Sequence, residues 1–441
     1  MMIRAVCVLT ALCGVVASAG AQVMTETYKI VPSDGDAGAE FGWQIGISDG
    51  VILVNAVNQN PVGKPYRFDA ATGAPLAAVP TPADPGLGSF ANGGAITGEH
   101  IGVSGFTFNG AGGSGSGAVY MYDALTLAPA QILLPDAGVS ASQFGQLAIA
   151  IDGASVVAGS PAEATGGENL SGAAYLFDAL TGARTHKLLP PTPNNSGRFG
   201  RRVALRDGIA AISESGDDTG IPDVQGSVHL FDVSTGSLLH SLTSQSGPAQ
   251  AIGLHSVALD GGVVAATSDR GVLLFDAATA VQTHLIQPED QFAIQQPSSA
   301  ALGGGFVVVG AESASGSVLV SGMAYLYDVQ TGDLLLEMQA SDGELFDKFG
   351  SSVAIEYPYV VVAAIDDQDN GEDSGSVYVF DLTPCNAADL ALPPGQLTTD
   401  DIDAFVAAFL SGDPNADLNG NGSLNVDDID AFVAAFLTGC P

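Results

Sequence analysis

Basic residues are scarce in this sequence. Of its 441 residues, 12 are Lys or Arg and 48 are Asp or Glu, which gives a formal net charge of −36. A surface with this charge repels phosphate groups, so neither nucleic acid nor an anionic membrane is an expected partner. After the N-terminal segment, no apolar run approaches the ~18 residues that a membrane span needs.

Glycine, by contrast, is abundant, with 57 residues, and 46% of the chain is hydrophobic. A chain with this much apolar material can bury large cores, which excludes general disorder. Many glycines and few charged residues favour short strands joined by tight turns.

The first 21 residues have the layout of a secretory signal peptide. Arg4 precedes a mostly apolar segment, and small residues occupy the cleavage patterns Ala17-Ser18-Ala19 and Ala19-Gly20-Ala21. The pattern predicts a signal peptide over 1–21 and a secreted protein, either extracellular or attached to the cell surface.

Cleavage would remove two of the four cysteines and leave Cys385 and Cys440. An even number of cysteines in an oxidising compartment favours a disulfide between them. Closing a loop of roughly 55 residues would contribute about 4 kcal/mol if the bond acts on chain entropy. Two free thiols are the alternative.

An aromatic residue followed by Asp ends a short apolar run seven times, at Phe68-Asp69, Tyr122-Asp123, Phe177-Asp178, Phe231-Asp232, Phe275-Asp276, Tyr327-Asp328 and Phe380-Asp381. A second marker precedes each copy, at Phe41-Gly42, Phe90-Ala91, Phe144-Gly145, Phe199-Gly200, Ile252-Gly253, Phe292-Ala293 and Phe349-Gly350. A representative unit contains four short apolar runs separated by turn residues. This pattern is typical of propeller blades.

The two ends of the repeat region indicate how the ring closes. The seventh unit stops at Pro384 without a fourth strand, whereas the segment at about 27–32 matches the fourth strand of another unit at 186–190. We therefore expect an all-β, seven-bladed propeller over 22–384, with the N-terminal strand completing the last blade and covering both sheet edges.

These units resemble the FG-GAP repeat of integrin-α-type propellers, on their Phe-Gly pairs and on Gly159-Ser160-Pro161. The resemblance implies a seven-bladed ring. Calcium-binding members of the family carry an Asp-rich loop between strands one and two, but here that turn is short, as at Asp49-Gly50. The family's calcium sites are therefore not expected. The acidic segment 366–373 could bind a cation or form a solvated loop.

After Pro384 the segment Asp400–Leu410 is repeated letter for letter at Asp427–Leu437, with apolar residues on one helical face. A 12-residue loop before the second copy carries oxygen at the positions that calcium uses, and Gly422 stands at position 6. Its predicted calcium ligands are Asp417, Asn419, Asn421, Ser423 through its carbonyl, Asn425 and Asp428.

The corresponding first loop, between Asp389 and Asp401, is one residue too long and poor in oxygen ligands, so calcium has less support there. The tandem loop–helix units at 385–441 resemble a GC-type dockerin, with Cys385 at the start and Gly439-Cys440-Pro441 at the end. The resemblance implies a small α-helical, EF-hand-like module that binds a cohesin or serves in envelope sorting. Partner-reading Ser/Thr pairs are missing at 399–400 and 426–427, which leaves a cohesin partner open.

One basic cluster departs from the acidic composition. Arg198, Arg201, Arg202 and Arg206 lie on or beside the inner strand of the fourth unit, and His255 lies on the inner strand of the fifth. Inner strands line the central channel of a propeller, where arginines could clamp a carboxylate or sulfate. The alternative is charge compensation of neighbouring Asp residues.

No catalytic motif accompanies these features. We therefore expect a non-catalytic binding or adhesion protein, with calcium as its cofactor. Its propeller would bind an extracellular protein or a glycan, and its C-terminal module would attach it outside the cell. The alternatives are a propeller-type polysaccharide lyase or hydrolase held by the C-terminal module, and a structural protein of the cell envelope.

Overall fold

The computed structural model describes residues 22–59, 61–83, 88–105, 114–137, 139–216, 226–245, 252–287, 297–392, 394 and 397–440. The predicted signal peptide at 1–21 and the marker at Phe292-Ala293 lie outside this set. The described strands form seven sheets, one for each repeat, so the predicted all-β seven-bladed propeller is confirmed.

The blades are numbered in the order in which their inner strands occur. Blade 1 contains β3 (Phe41–Ser48), β4 (Val51–Ala56) and β5 (Lys64–Asp69). Blade 2 contains β6 (Gly94–Ile96), β7 (His100–Gly105), β8 (Ala118–Asp123) and β9 (Pro129–Leu133). Blade 3 contains β10 (Ile149–Asp152), β11 (Ser155–Ser160), β12 (Ala173–Asp178) and β13 (Arg184–Leu188). Blade 4 contains β14 (Phe199–Arg206), β15 (Ile209–Glu214), β16 (Ser227–Asp232) and β17 (Leu238–Leu242).

The remaining blades include the two N-terminal strands of the described chain. Blade 5 contains β18 (Ile252–Asp260), β19 (Val263–Ser268), β20 (Gly271–Asp276) and β21 (Gln282–Ile286). Blade 6 contains β22 (Ser299–Gly303), β23 (Phe306–Ala311), β24 (Met323–Asp328), β25 (Leu334–Gln339) and β1 (Gln22–Thr25). Blade 7 contains β26 (Phe349–Glu356), β27 (Tyr359–Ala364), β28 (Ser376–Asp381) and β2 (Tyr28–Ile30).

The N-terminal segment closes the ring. Strand β2 pairs antiparallel with β28 as the outer strand of blade 7, and β1 pairs parallel with β25 as a fifth strand of blade 6. On the inner side, the Glu356 carboxylate of blade 7 accepts the N–H groups of Asp49 and Gly50 in blade 1, at 2.8 and 2.9 Å. The first and last blades are therefore joined at both their inner and outer edges.

Blade 1 differs from the expected four-strand unit, because only three of its described segments form strands. Its chain begins a fourth strand after the turn at Asp69, where Leu76 N donates to Arg67 O and Pro75 makes an isolated bridge to Phe68. Prolines follow at 80 and 82. Because proline has no N–H to donate, the ladder does not extend.

The Phe-Gly marker lies at the contact between blades. The Phe199 side chain is fully buried and packs edge-on against Phe231 of its own blade, with ring centroids 5.9 Å apart. Gly200 has φ +89°, and a Cβ there would lie 2.3 Å from the Ala173 carbonyl oxygen of blade 3. Only glycine fits where the two backbones approach this closely.

The aromatic-Asp marker forms the turn between the third and fourth strands. In blade 3, Asp178 accepts hydrogen bonds from the Thr181 hydroxyl at 2.7 Å and its N–H at 2.8 Å. The hydroxyl and then the N–H hold the pKa of Asp178 below its usual range. Six further Asp residues make a bond of this kind: Asp69, Asp123, Asp232, Asp276, Asp328 and Asp381.

The C-terminal residues form two helices, α1 (Thr399–Ser411) and α2 (Val426–Thr438), with a short 3₁₀ turn at Pro414–Ala416. Each helix begins with a capping box, Thr398 with Asp401 and Asn425 with Asp428. Phe405 and Phe432 occupy the same position in the two copies and stack at 4.2 Å between ring centroids. The duplicated sequence therefore folds as two matching helices around one small core.

Gly200→Ala should lower the free energy of unfolding by about 3 kcal/mol, because the methyl group adds steric overlap to the cost of positive φ. Gly208→Ala is the matched control, since Gly208 has φ +76° but no atom within 4 Å of the added Cβ. It should cost about 1 kcal/mol. Chemical denaturation checks both values, and equal losses would contradict the role assigned to the marker.

Candidate functional site

The loop between the two C-terminal helices brings its oxygen atoms together. The carboxylate of Asp417 accepts the N–H groups of Asn421 and Gly422 at 3.1 and 2.7 Å. Asp428 is fully buried and accepts the N–H groups of Asn419 and Asn425 at 3.3 and 2.9 Å. These bonds wrap the loop around its first and last carboxylates, and its donor set of carboxylate and carbonyl oxygens suits calcium.

Two of the predicted ligands also have structural roles in the loop. Asn425 Oδ1 accepts the N–H of Asp427 as the cap of α2, at 2.8 Å, while Asn425 Nδ2 donates to the Ser423 carbonyl at 2.9 Å. A side chain at this ninth loop position often reaches calcium through a water molecule. Asn425 could therefore keep its cap and still contact a calcium ion through a water molecule.

The first loop also folds around its last carboxylate. Asp401 is fully buried, and its carboxylate accepts the N–H groups of Leu390, Ala391 and Thr398 at 2.7–2.8 Å. Asp389 Oδ2 accepts the N–H of Cys385 at 2.6 Å. Backbone N–H groups thus donate to Asp401 and to one oxygen of Asp389, the two residues of the weaker calcium prediction.

A disulfide joins Cys385 and Cys440, with 5.5 Å between their Cα atoms, so the predicted pairing is confirmed. Next to it, Asn386 Nδ2 donates to the Gly439 carbonyl at 3.1 Å. Gln22 Nε2 of β1 donates to Asp400 Oδ2 at 3.1 Å. The two ends of the C-terminal segment are therefore tied together, and its first helix contacts the propeller.

A cavity of about 300 Å³ lies on the propeller axis, where the inner strands begin. Residues of blades 1, 3, 4, 5, 6 and 7 line it, most of them one to three positions after a marker glycine. Its polar lining consists of Trp43, Gln44, Arg202, His255, Ser256, Ser298, Ser299, Glu312, Ser351 and Ser352. Arg202 and His255 were predicted from the sequence, whereas Trp43 and Glu312 were not. Trp43 directly follows the marker glycine Gly42, and Glu312 directly follows the second strand of its blade, and these positions could have indicated both residues.

One of the four predicted arginines lines the cavity. Arg202 lines the cavity, where its Nε donates to the His255 carbonyl at 2.5 Å and its Nη1 to the Arg201 carbonyl at 3.1 Å. Burial, and then the charge of Arg201, lower the pKa of Arg202 to about 10, so it is still a cation at neutral pH.

Arg206 and Arg198 lie outside the cavity lining. Arg206 is exposed at the far end of β14 and pairs with Asp260 at 3.2 Å and Asp152 at 3.9 Å, as charge compensation predicts. Arg198 precedes β14, and its N–H donates to the Leu170 carbonyl at 2.9 Å. Of the four predicted arginines, Arg202 is therefore the one that the cavity lining contains, and anion binding by this group stays a prediction.

The acidic segment at 366–373 already contains a cation from the chain. Lys29 Nζ lies 2.7–2.9 Å from carboxylates of Asp342, Asp367 and Asp369. Tyr378 donates to Asp367 at 2.6 Å. Burial opposes the charge of Lys29, but hydrogen bonds to the three carboxylates raise its pKa above the ordinary value.

The same arrangement recurs in two other blades. In blade 3, Lys187 pairs with Asp136 at 2.8 Å and Glu163 at 2.6 Å, and Tyr175 donates to Glu163 at 2.8 Å. In blade 1, Lys64 pairs with Asp34, which also accepts from Tyr66. Lysine ammonium groups thus neutralise these acidic pockets within the fold.

Comparison with known proteins agrees with the repeat pattern. Residues 24–67 and 337–380 match the FG-GAP repeat family, so the chain contains FG-GAP repeats. Both matched ranges lie in the propeller and exclude α1 and α2. An FG-GAP propeller suggests a scaffold for binding or adhesion.

Among solved structures, the crystal structure of the computationally designed Ika8 protein is similar at 13% identity, with a TM-score of 0.47, covering 82% of this chain and 100% of that one. No curated protein matches this sequence. Among the described residues, no helix is both long and apolar enough to cross a membrane.

Lys29→Met should lower the free energy of unfolding by about 3 kcal/mol, because it leaves the nearly buried carboxylate of Asp367 without its cation. Lys348→Met is the matched control, since Lys348 and Asp366 form a more exposed pair, and it should cost less than about 1 kcal/mol. Urea denaturation at neutral pH measures both. Similar losses in the two variants would refute the assigned role of Lys29.

The loss of unfolding free energy in Lys29→Met, relative to the unmodified protein, should become smaller at acid pH. Burial raises the pKa of Asp342, but its interactions with Lys29 lower the pKa by more than burial raises it. The pKa of Asp342 is therefore below its usual range. The stability that this pair contributes is therefore present above about pH 4 and is lost as the pH falls through the lowered value. A deficit that stays constant from pH 7 to pH 3 would contradict this account.

Proposed function

We propose that the protein is an extracellular, non-catalytic binding protein whose propeller holds a ligand or partner and whose C-terminal helices attach it through a calcium-dependent, dockerin-like module. The observation that carries this proposal is the oxygen-lined loop from Asp417 to Asp428. Its last ligand is also the buried capping residue of α2, which couples metal binding to the start of a helix.

Calcium would relieve a local electrostatic cost. Asp417, Asp427 and Asp428 belong to one loop and the start of one helix, and the described residues of this loop include no basic side chain. A divalent cation neutralises this repulsion, and its binding adds to folding stability by about 2.7 kcal/mol at a hundredfold excess over its Kd. The C-terminal module would then be more stably folded where calcium is abundant.

The surface proposed for attachment is apolar and duplicated. Leu410 and Leu437 occupy the same place in the two copies and are 78% and 80% exposed, although both stand on the apolar side of their helices. Val433 of α2 is 39% exposed. An extracellular protein of the cohesin or envelope-sorting type, with a complementary apolar surface, is the partner we propose.

Calorimetric titration of the full chain with calcium, after treatment with a chelator, tests the metal site. We expect saturable binding that raises the melting temperature, and an affinity at least about tenfold weaker in Asp417→Asn. Asp430→Asn makes the same charge change on the exposed face of α2 and should leave the affinity unchanged. No binding at millimolar calcium, or equal effects of the two substitutions, would overturn the calcium proposal.

Capture from envelope extracts with the full chain tests the attachment. We expect one envelope protein to be retained with calcium and released by EDTA, and Leu410→Ser with Leu437→Ser to reduce its retention. Leu125→Ser is the control, because Leu125 is an equally exposed leucine (84%) in a propeller turn. Retention that is insensitive to both calcium and the paired leucine substitutions would argue against this module as the attachment site.

A further inference from the structure

The axial cavity contains hydrogen-bond donors that the fold does not use. Trp43 lines the cavity, and its buried Nε1–H donates to no described group. Arg202 uses Nε and Nη1 for backbone carbonyls, and its Nη2 donates to no described residue. Leaving the buried Trp43 N–H without an acceptor costs about 1–3 kcal/mol, so this donor, together with Nη2 of Arg202, favours a ligand with acceptor oxygens.

The serine hydroxyls of the cavity are mostly committed. Ser256 donates to the Ala300 carbonyl, and Ser298 and Ser299 both donate to the Gly350 carbonyl, each at 2.8 Å. Ser352 is different, because its Oγ accepts the N–H of Ile45 at 3.3 Å and its own proton is directed to no described acceptor. The donors without a described acceptor therefore include those of Arg202, Trp43 and Ser352, in blades 4, 1 and 7.

The charge of Arg202 is also uncompensated. Among the described residues, no carboxylate lies within ion-pair distance of Arg202, whereas Arg184, Arg206 and all four lysines have one. Glu312 is the one acid that lines the cavity, and burial raises its pKa. In a chain with a net charge of −36, a partly buried cation bonded only to carbonyls marks a place where an anion would be stabilised.

We propose that the axial cavity binds the carboxylate of a small acidic sugar, with Arg202, Trp43 and Ser352 donating to its oxygens. The cavity of about 300 Å³ is at the small end of ligand pockets, which suits a single sugar ring rather than a polymer segment. Charge-assisted bonds from a guanidinium favour a carboxylate over a neutral hydroxyl. This inference rests on the proposed binding role of the propeller and is independent of the calcium loop.

Trp43 is the single tryptophan of the chain, so its fluorescence reports on this cavity directly. The full chain is titrated with glucuronate, glucose and sulfate at constant ionic strength. We expect a saturable change in Trp43 emission with glucuronate and none with glucose. Absence of a saturable change with glucuronate, or saturation by sulfate alone, would overturn the carboxylate assignment.

Matched variants locate the site. Arg202→Gln should weaken glucuronate binding at least about tenfold, whereas Arg206→Gln, with the same charge change on the same strand, should leave it unchanged. Glu312→Gln should strengthen binding, because it removes the one carboxylate that opposes the ligand. Equal effects of Arg202→Gln and Arg206→Gln would place the binding elsewhere.

If Arg202→Gln does not fold, a second variant tests the site. Trp43→Phe keeps the ring but removes the N–H, and calorimetry should show glucuronate binding weakened about threefold or more. Unchanged binding in this variant would contradict the role of Trp43. Calcium titration of the same samples separates the proposals, because loss of glucuronate binding with intact calcium binding rejects only the cavity, and the reverse rejects only the calcium-dependent attachment.

Discussion

Close backbone contact between neighbouring blades is the constraint on which the rest of the structure depends. At five of these contacts in the described chain, the carbonyl of a buried Phe at or just before an inner strand lies against a glycine of the preceding blade, as Phe199 does at Gly172 and Phe349 at Gly322. A side chain on either glycine would overlap the neighbouring backbone. The abundance of glycine and the fixed spacing of the Phe-Gly marker both follow from this contact, and the axial cavity exists because it holds the inner strands in one ring.

Much of this fold could be predicted from the sequence, because the informative features repeat at local spacing. Seven aromatic-Asp markers gave seven blades, the missing last strand pointed to the N-terminus, and the copied Asp400–Leu410 segment gave two helices. The sequence could not show which residues meet across the ring. Lys29 and Asp367 are 338 positions apart, and β1 lies beside β25 with no pattern of its own to indicate a parallel pairing. The arginines were adjacent in sequence, but strand geometry placed only Arg202 among the cavity residues.

The acidic composition has a distributed structural basis. Asp residues hold the turns after each third strand, acidic pockets in blades 1, 3 and 7 enclose lysine ammonium groups, and Asp401 and Asp428 cap the C-terminal helices. Two places do not fit this pattern of internal compensation. One is the loop from Asp417 to Asp428, where negative oxygens converge, and the other is the cavity around Arg202, where a cation lacks a carboxylate. These two places are the proposed binding sites, the loop for calcium and the axial cavity for an acidic ligand.

Unfolding in urea followed by two signals in one sample tests most directly whether the blades form one closed ring. Trp43 fluorescence reports on blade 1 beside the closure, and circular dichroism near 218 nm reports on the strands of all blades. Because every blade depends on contacts with both neighbours, the two signals should change at the same urea concentration. Removal of residues 22–31 should shift both midpoints downward together. A Trp43 transition well separated from the loss of strand signal in the intact chain would contradict the closed, interlocked ring.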